Sequence, residues 1–223
     1  MKNIATTLII ILSLLSLSLG DYLTEENKPL EQSDFSQTSG RAASDWEWST
    51  SFGSPSADQG WGIVINQNGE SLVTGQFSGT VNFGTCSTCT HTSQGLTDIF
   101  IAKLDSQGDA IWVNTAGGAG LDAPIGLITE LDNGNYAISG YIAGTNTAQF
   151  GSTTLSPSNV RALLVAVFDD SGNWVWANEY SGAHSTSDVR GYDITSDSSH
   201  IYVTGDYVRS MEINGVVHNA NIA

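Results

Sequence analysis

Beyond residue 45, hydrophobic residues fall in short runs, and each run ends in a cluster of Gly, Asn, Asp or Ser. The runs lack the 3.6-residue spacing of an amphipathic helix. They predict strands joined by tight turns. In the clearest stretch, residues 126–131 form a strand and Asp132, Asn133, Gly134 and Asn135 a turn of the Asn-Gly kind, which needs positive φ. Residues 136–142 return. A small hairpin follows around Phe150 and Gly151, then the wholly apolar 162–168, a turn at 169–173 and a fourth strand at 174–178. The stretch from Ile63 to Val113 matches it piece by piece, with strands at 63–66, 71–77, 99–104 and 110–113 and a small hairpin near Phe83 and Gly84.

The match has a fixed period. Trp48, Trp112 and Trp176 are each 64 residues apart; Gly75, Gly140 and Gly205 are each 65 apart. Self-similarity at such an interval marks an array of one supersecondary unit. A third copy starts at Tyr192, returns at Ile201, and reaches a hairpin at Met211 to Val217 around Asn214 and Gly215. The expected fold class is therefore all-β, built of four-stranded antiparallel units of about 64 residues, the makeup of β-propeller blades. About 2.8 units fit between Trp46 and Ala223, so an incomplete, open array is expected, ending inside a unit. An irregular β-solenoid ranks second and a sandwich third.

Several phrases carry a resemblance. "LVTGQFSGTVNFG" and "GLTDIFIAKLDSQGDAIW" are similar to the β-propeller repeats of secreted bacterial and archaeal proteins, the seven-bladed propeller type. The first copy has nearly the whole pattern. The second keeps Gly140, Phe150, Gly151, Asp169, Gly172 and Trp176, but has Ala162 where Asp98 stands and Val167 in place of Lys103. The resemblance implies a propeller fold and an extracellular or surface scaffold. It implies no catalytic motif.

The N-terminus adds an address. Lys2, an apolar run to Leu19 and the small residues around Gly20 predict a secretory signal peptide at 1–20. The run is shorter than the ~20 residues of a membrane span, so no membrane insertion is expected after cleavage. Residues 21–45 are polar and aperiodic and predict a disordered linker; 46–223 hold the repeats. With 23 acidic residues against 7 Lys and Arg, the net charge is −16, which argues against nucleic-acid partners.

Candidate chemistry is sparse. Trp48, Trp112 and Trp176, placed alike in each copy, are expected to fill the space between neighbouring sheets. Trp46, Trp61 and Trp174 are less uniform and are the candidates for stacking on carbohydrate. Gly75, Gly140 and Gly205 are expected to allow a bulge or a close backbone approach. Asp105, Asp132 and Asp169 open turns and bond their own backbone. Their turns superficially resemble calcium loops but lack the full ligand series and its final Glu, so no cofactor is expected. Cys86 and Cys89 suit a local disulfide in an exported chain; a metal half-site and a redox pair are the alternatives. No nucleophile, metal-hydrolase or phosphate-loop motif is present. Three functions remain open: a non-enzymatic scaffold binding an extracellular polysaccharide or protein, the propeller part of a secreted hydrolase, and a spacer in a larger surface protein with further repeats.

Overall fold

In the computed structural model the described residues are 8–11, 48–144 and 147–220, the first four as backbone alone. Trp46, the 21–45 linker and most of the 1–20 segment lie outside them. Among the described residues there is no helix, and the antiparallel sheets close into no barrel or propeller ring.

Strand β1 (Leu8–Ile11) pairs with β2 (Ser49–Phe52). The first full sheet runs β3 (Gln59–Ile65), β4 (Ser71–Phe77), then past the hairpin β5 (Thr80–Asn82) and β6 (Thr90–Thr92) to β7 (Asp98–Leu104) and β8 (Ala110–Gly118). All its pairings are antiparallel. The second sheet repeats the plan with β9 (Asp122–Ala123) and β10 (Ile128–Glu130), β11 (Tyr136–Ala143), β14 (Arg161–Phe168) and β15 (Trp174–Tyr180), while the intervening hairpin β12 (Ala148–Phe150) and β13 (Thr153–Leu155) joins the first sheet beside β8. Its first strand is split, where the sequence predicted a single one. Pro124 follows β9 directly and has no N–H for a ladder. The third copy has β16 (Asp188–Ser196), β17 (Ile201–Val208), and the hairpin β18 (Ser210–Ile213) and β19 (Val216–Asn219).

The inner strands are apolar on both faces, and two layers of packing result. Leu72, Ile99 and Ile101 of the first sheet meet Tyr136, Ile138, Ile142, Ala162, Leu164, Ala166 and Phe168 of the second in one cluster. The alternate residues Val73, Phe100, Ala102 and Leu104 turn the other way, onto Phe52, Phe77 and Phe83. Likewise Leu163, Val165 and Val167 face Val189 and Ile194 of the third copy. Strands buried on both faces read as continuous hydrophobic runs, which is the pattern of 99–102 and 162–168. Burial of each such side chain stabilises by roughly 1.5–3 kcal/mol.

The repeated glycines share one geometry. A Cβ on Gly75 would lie 2.1 Å from the carbonyl oxygen of Gln59; on Gly140, 2.1 Å from that of Ala123; on Gly205, 2.0 Å from that of Arg190. In the first and third copies the facing strand bulges there, between Gly60 and Gly62 and between Gly191 and Asp193. The bulge presses a carbonyl onto the neighbouring Cα, and only glycine leaves room. The turns differ from the expected Asn-Gly type. At 131–135 only Gly134 has positive φ, and the chain closes through Leu131 N–H to the Asn135 carbonyl. Asn214 and Gly215 are both positive and form the two-residue turn.

Strand β17 differs from β4 and β11. Those are paired on both sides and almost wholly buried, whereas β17 pairs only β16 among the described residues and is largely exposed. A free edge of this kind recruits other strands. Light scattering on chromatographed protein is expected to show concentration-dependent association; a stable monomer at every concentration would contradict it. For the glycine contact, Gly140→Ala is expected to cost about 2–3 kcal/mol in denaturant unfolding, because the obstruction is backbone and cannot rotate away.

Candidate functional site

Three turns converge on one end of the sheets. They are residues 66–69 between β3 and β4, 131–135 between β10 and β11, and 169–172 between β14 and β15. Between them lies a groove of about 1000 Å³. Its walls include Asn66, Gln67, Asn68, Asn133 and Asn135, with the carboxylates of Glu130, Asp132, Asp169 and Asp170. A smaller groove of about 260 Å³ continues the row, between the 131–133 turn and residues 197–201. The lining turns of the two grooves thus recur at the interval of the repeat.

Each turn is held by its own side chains. The Asn66 Oδ1 accepts from the N–H groups of Asn68 and Glu70, both at 3.0 Å. The Asp169 Oδ1 accepts from Ser171 N–H at 3.0 Å and Asn173 N–H at 2.8 Å. Asp105 does the same for Gln107 and Asp109. Asp132 does not. In its turn Asn133 supplies the acceptor, bonding the Asn135 N–H at 3.1 Å, and Asp132 is left facing solvent. The reason is register: Leu131 holds the turn-opening place that Asn66 and Asp169 hold elsewhere.

Lys103 ties together two of the turns beside the groove. It is buried on β7, and its Nζ lies 2.7 Å from Glu70 Oε2 and 2.8 Å from Asp170 Oδ2. One ammonium thereby ties a turn of the first sheet to a turn of the second. The Lys103 bond holds the Glu70 carboxyl below the ordinary range, with Asn66 contributing. Burial opposes the charge on Lys103, but the bonds to Asp170 and Glu70 outweigh it and raise its pKa. Trp112 Nε1–H donates to the Asp170 carbonyl at 3.2 Å, and Asn114 Nδ2–H to that of Gly172 at 2.8 Å. The Tyr136 hydroxyl donates to Asp170 Oδ1 at 3.4 Å, and burial raises its pKa.

Trp112 and Trp176 lie on β8 and β15, and Trp48 directly before β2. Trp48, Trp112 and Trp176 are all half-buried rather than largely buried. The Trp48 ring lies against Gly108 and the Trp112 ring against Gly172, each on the turn of the next sheet, and a ring on a turn keeps one edge in solvent. Trp61 is 40 % exposed. Trp174 is not a free platform: its ring packs edge-on to Phe150 at 5.0 Å and Phe168 at 5.7 Å, and its Nε1–H bonds the Thr115 carbonyl. Cys86 and Cys89 are bridged, with Cα atoms 5.2 Å apart. They lie inside the β5–β6 hairpin loop, not after it, and Cys89 is fully buried with Phe52, Phe83 and Phe100. The loop itself stays at the surface, with Thr85, Ser87 and Thr88 exposed, and Cys89 anchors it to the core.

Among the described residues no group of three or more His, Cys, Asp or Glu side chains converges as metal ligands. Lys103, Glu70, Asp170 and Tyr136 were not singled out from the sequence. A lone Lys inside the apolar run 99–104 was the signal available. No family model matches the chain, and no curated protein matches it in sequence.

Replacing Lys103 by Met tests this tie. A buried pair that loses one partner costs roughly 3–5 kcal/mol; the loss expected here is about 2, because the Asp170 side chain is 54 % exposed. Glu70 is depressed when folded, so its contribution is complete above the ordinary 4.5 and is lost as pH falls through the folded value. In urea titrations across pH, wild type is expected to lose stability below about pH 4.5 more steeply than Lys103→Met. Parallel pH curves would argue that Lys103 does not set the Glu70 charge.

Proposed function

We propose that this chain is part of a secreted or surface-associated β-propeller-type repeat protein, and that it is a non-enzymatic scaffold binding an uncharged extracellular polysaccharide along its turn face. The sheets act as propeller blades in this view. Support comes from the 64-residue period, from two stacked sheets whose four main strands pair in the same order, and from the β16–β17 pair, which begins the plan again and joins the second sheet by one parallel bridge to β14. The exposed edge of β17 fits further copies of the repeat, supplied by the same or another chain.

The observation that carries the ligand class is the groove lining. Amides present donors and acceptors side by side, and carboxylates accept pairs of hydrogen bonds from neighbouring hydroxyls. Among the described residues no lysine or arginine lines the groove, and Lys103, which bonds the lining Asp170, is committed to Glu70 and Asp170. Sulfated or uronate polymers would meet a field of like charge. A row of grooves spaced by the repeat also suits a polymer better than a single small molecule.

The test is binding of neutral and anionic glycans on an array, followed by calorimetry. Neutral polymers are expected to bind and anionic ones to fail. Gln67→Ala together with Asp132→Ala removes two exposed groove side chains that hold no turn, and is expected to weaken binding about tenfold at unchanged melting temperature. A blank array at high protein concentration, or tighter binding of the anionic set, would refute the proposal.

A further inference from the structure

Asp58, Asp122 and Asp188 occupy one position of the repeat, at the start of its first strand or just before it. Asp58 Oδ2 accepts from Ser54 N–H and its Oδ1 from Ser78 N–H. Asp122 repeats this with Gly118 at 2.8 Å and Ala143 at 3.2 Å. Asp58 and Asp122 each clamp the chain entering one sheet to the end of its second strand. Asp58 and Asp122 are buried and Asp188 is half-buried, and a carboxylate charge taken from water is costly unless something offsets it.

In the third copy that offset is visible. Asp188 Oδ2 lies 2.7 Å from Arg161 Nη1 and 2.7 Å from Arg190 Nη2, and Arg190 Nε bonds Oδ1 at 2.9 Å. The Arg190 bonds hold its carboxyl below the ordinary range, with Arg161 adding to the effect.

At Asp122 the arrangement is reversed. Thr97 stands where Arg161 stands 64 residues later, and Asp98 where Ala162 stands. A second carboxylate enters in place of a guanidinium. Asp98 is 2 % exposed and Asp122 1 %. Asp98 Oδ2 accepts from Gln94 N–H at 2.9 Å, but its buried Oδ1 has no hydrogen-bond partner. That oxygen faces the same cradle as Asp122 Oδ2: a Cβ on Gly117 would lie 2.8 Å from the first and 3.0 Å from the second. Gly117 has φ 151°, where other residues are strained, so the cradle stays open.

We propose that Asp98 and Asp122 bind one hard divalent cation of the calcium class at the junction of the first and second sheets, where the third copy uses arginine. Carboxylate oxygens suit hard cations, and water and main-chain carbonyls complete the six to eight oxygens such an ion takes. Two protein carboxylates make a weak site, with dissociation in the range of roughly 0.1–1 mM typical of extracellular modules. The competing neutraliser is the proton: burial raises both carboxyls, Asp122 to about 6 with Asp98 adding to it.

The test is thermal unfolding of the full chain at pH 7.5 in chelated buffer, titrated with calcium chloride against sodium chloride of equal ionic strength. A saturable rise of about 5 °C is expected. Calorimetry of the wild type should give a heat component of one ion that Asp98→Ala lacks. Ala stands at the equivalent position of the second copy; if that variant does not fold, Asp98→Asn, which keeps the Gln94 bond, replaces it. The thermal shift is expected to vanish in the variant and to persist in Asp169→Asn, which alters an acidic turn instead. A shift undiminished in the Asp98 variant would place the ion elsewhere and overturn the proposal. So would a chain that gains stability only on acidification from pH 7 towards 4, since the site would then take a proton alone.

Discussion

The structure depends on strands that are apolar on both faces. Ile99 and Ile101 point one way along β7, and Phe100 and Ala102 the other. Such a strand cannot rest with one side in water, so each sheet must be covered twice. Stacking of successive copies is the solution a repeat makes available, because every unit brings the same pair of faces. The third copy shows the dependence from the other side. Its β17 carries a comparable sequence, but it pairs only β16 among the described residues, and Tyr202 and Val208 are half exposed.

Stacking alone would leave neighbouring sheets free to slide. Polar contacts at the junction set their offset. Lys103 reaches from one sheet to Asp170 on the next, and Trp112 and Asn114 bond carbonyls of the same turn. Together they place the 169–172 turn against the 66–69 turn, and the groove is the space between. The aspartate clamps act at the opposite ends of the same strands. One set of ties thus builds the polar groove, while the other collects buried charge that the fold offsets by arginine in one copy and by no side chain in another.

The two junctions also show why equivalent positions need not carry equivalent chemistry. Val167 replaces Lys103 one copy later, where its neighbours are Leu163, Val165 and Val189. Ala162 replaces Asp98, and Arg161 arrives beside it. Each change keeps the packing and alters the local charge.

Much of the fold was legible in the sequence. The all-β class, most strand and turn positions and the close approach at Gly75, Gly140 and Gly205 follow from local rules: apolar runs, turn residues and backbone sterics act within a few residues. The disulfide partners were legible too, though not the burial of Cys89. The sites were not legible. Lys103 meets Asp170 67 residues away, Asp98 meets Asp122 across a sheet junction, and the groove is lined by turns about 40 to 100 residues apart. No spacing rule links such residues, because their distance is decided by how two sheets settle on each other. The sequence alone determined which strands and turns form and how often they recur, because those energies are local. Which side chains share a groove or a buried cradle was decided by sheet stacking, a long-range packing of faces that composition and period leave open.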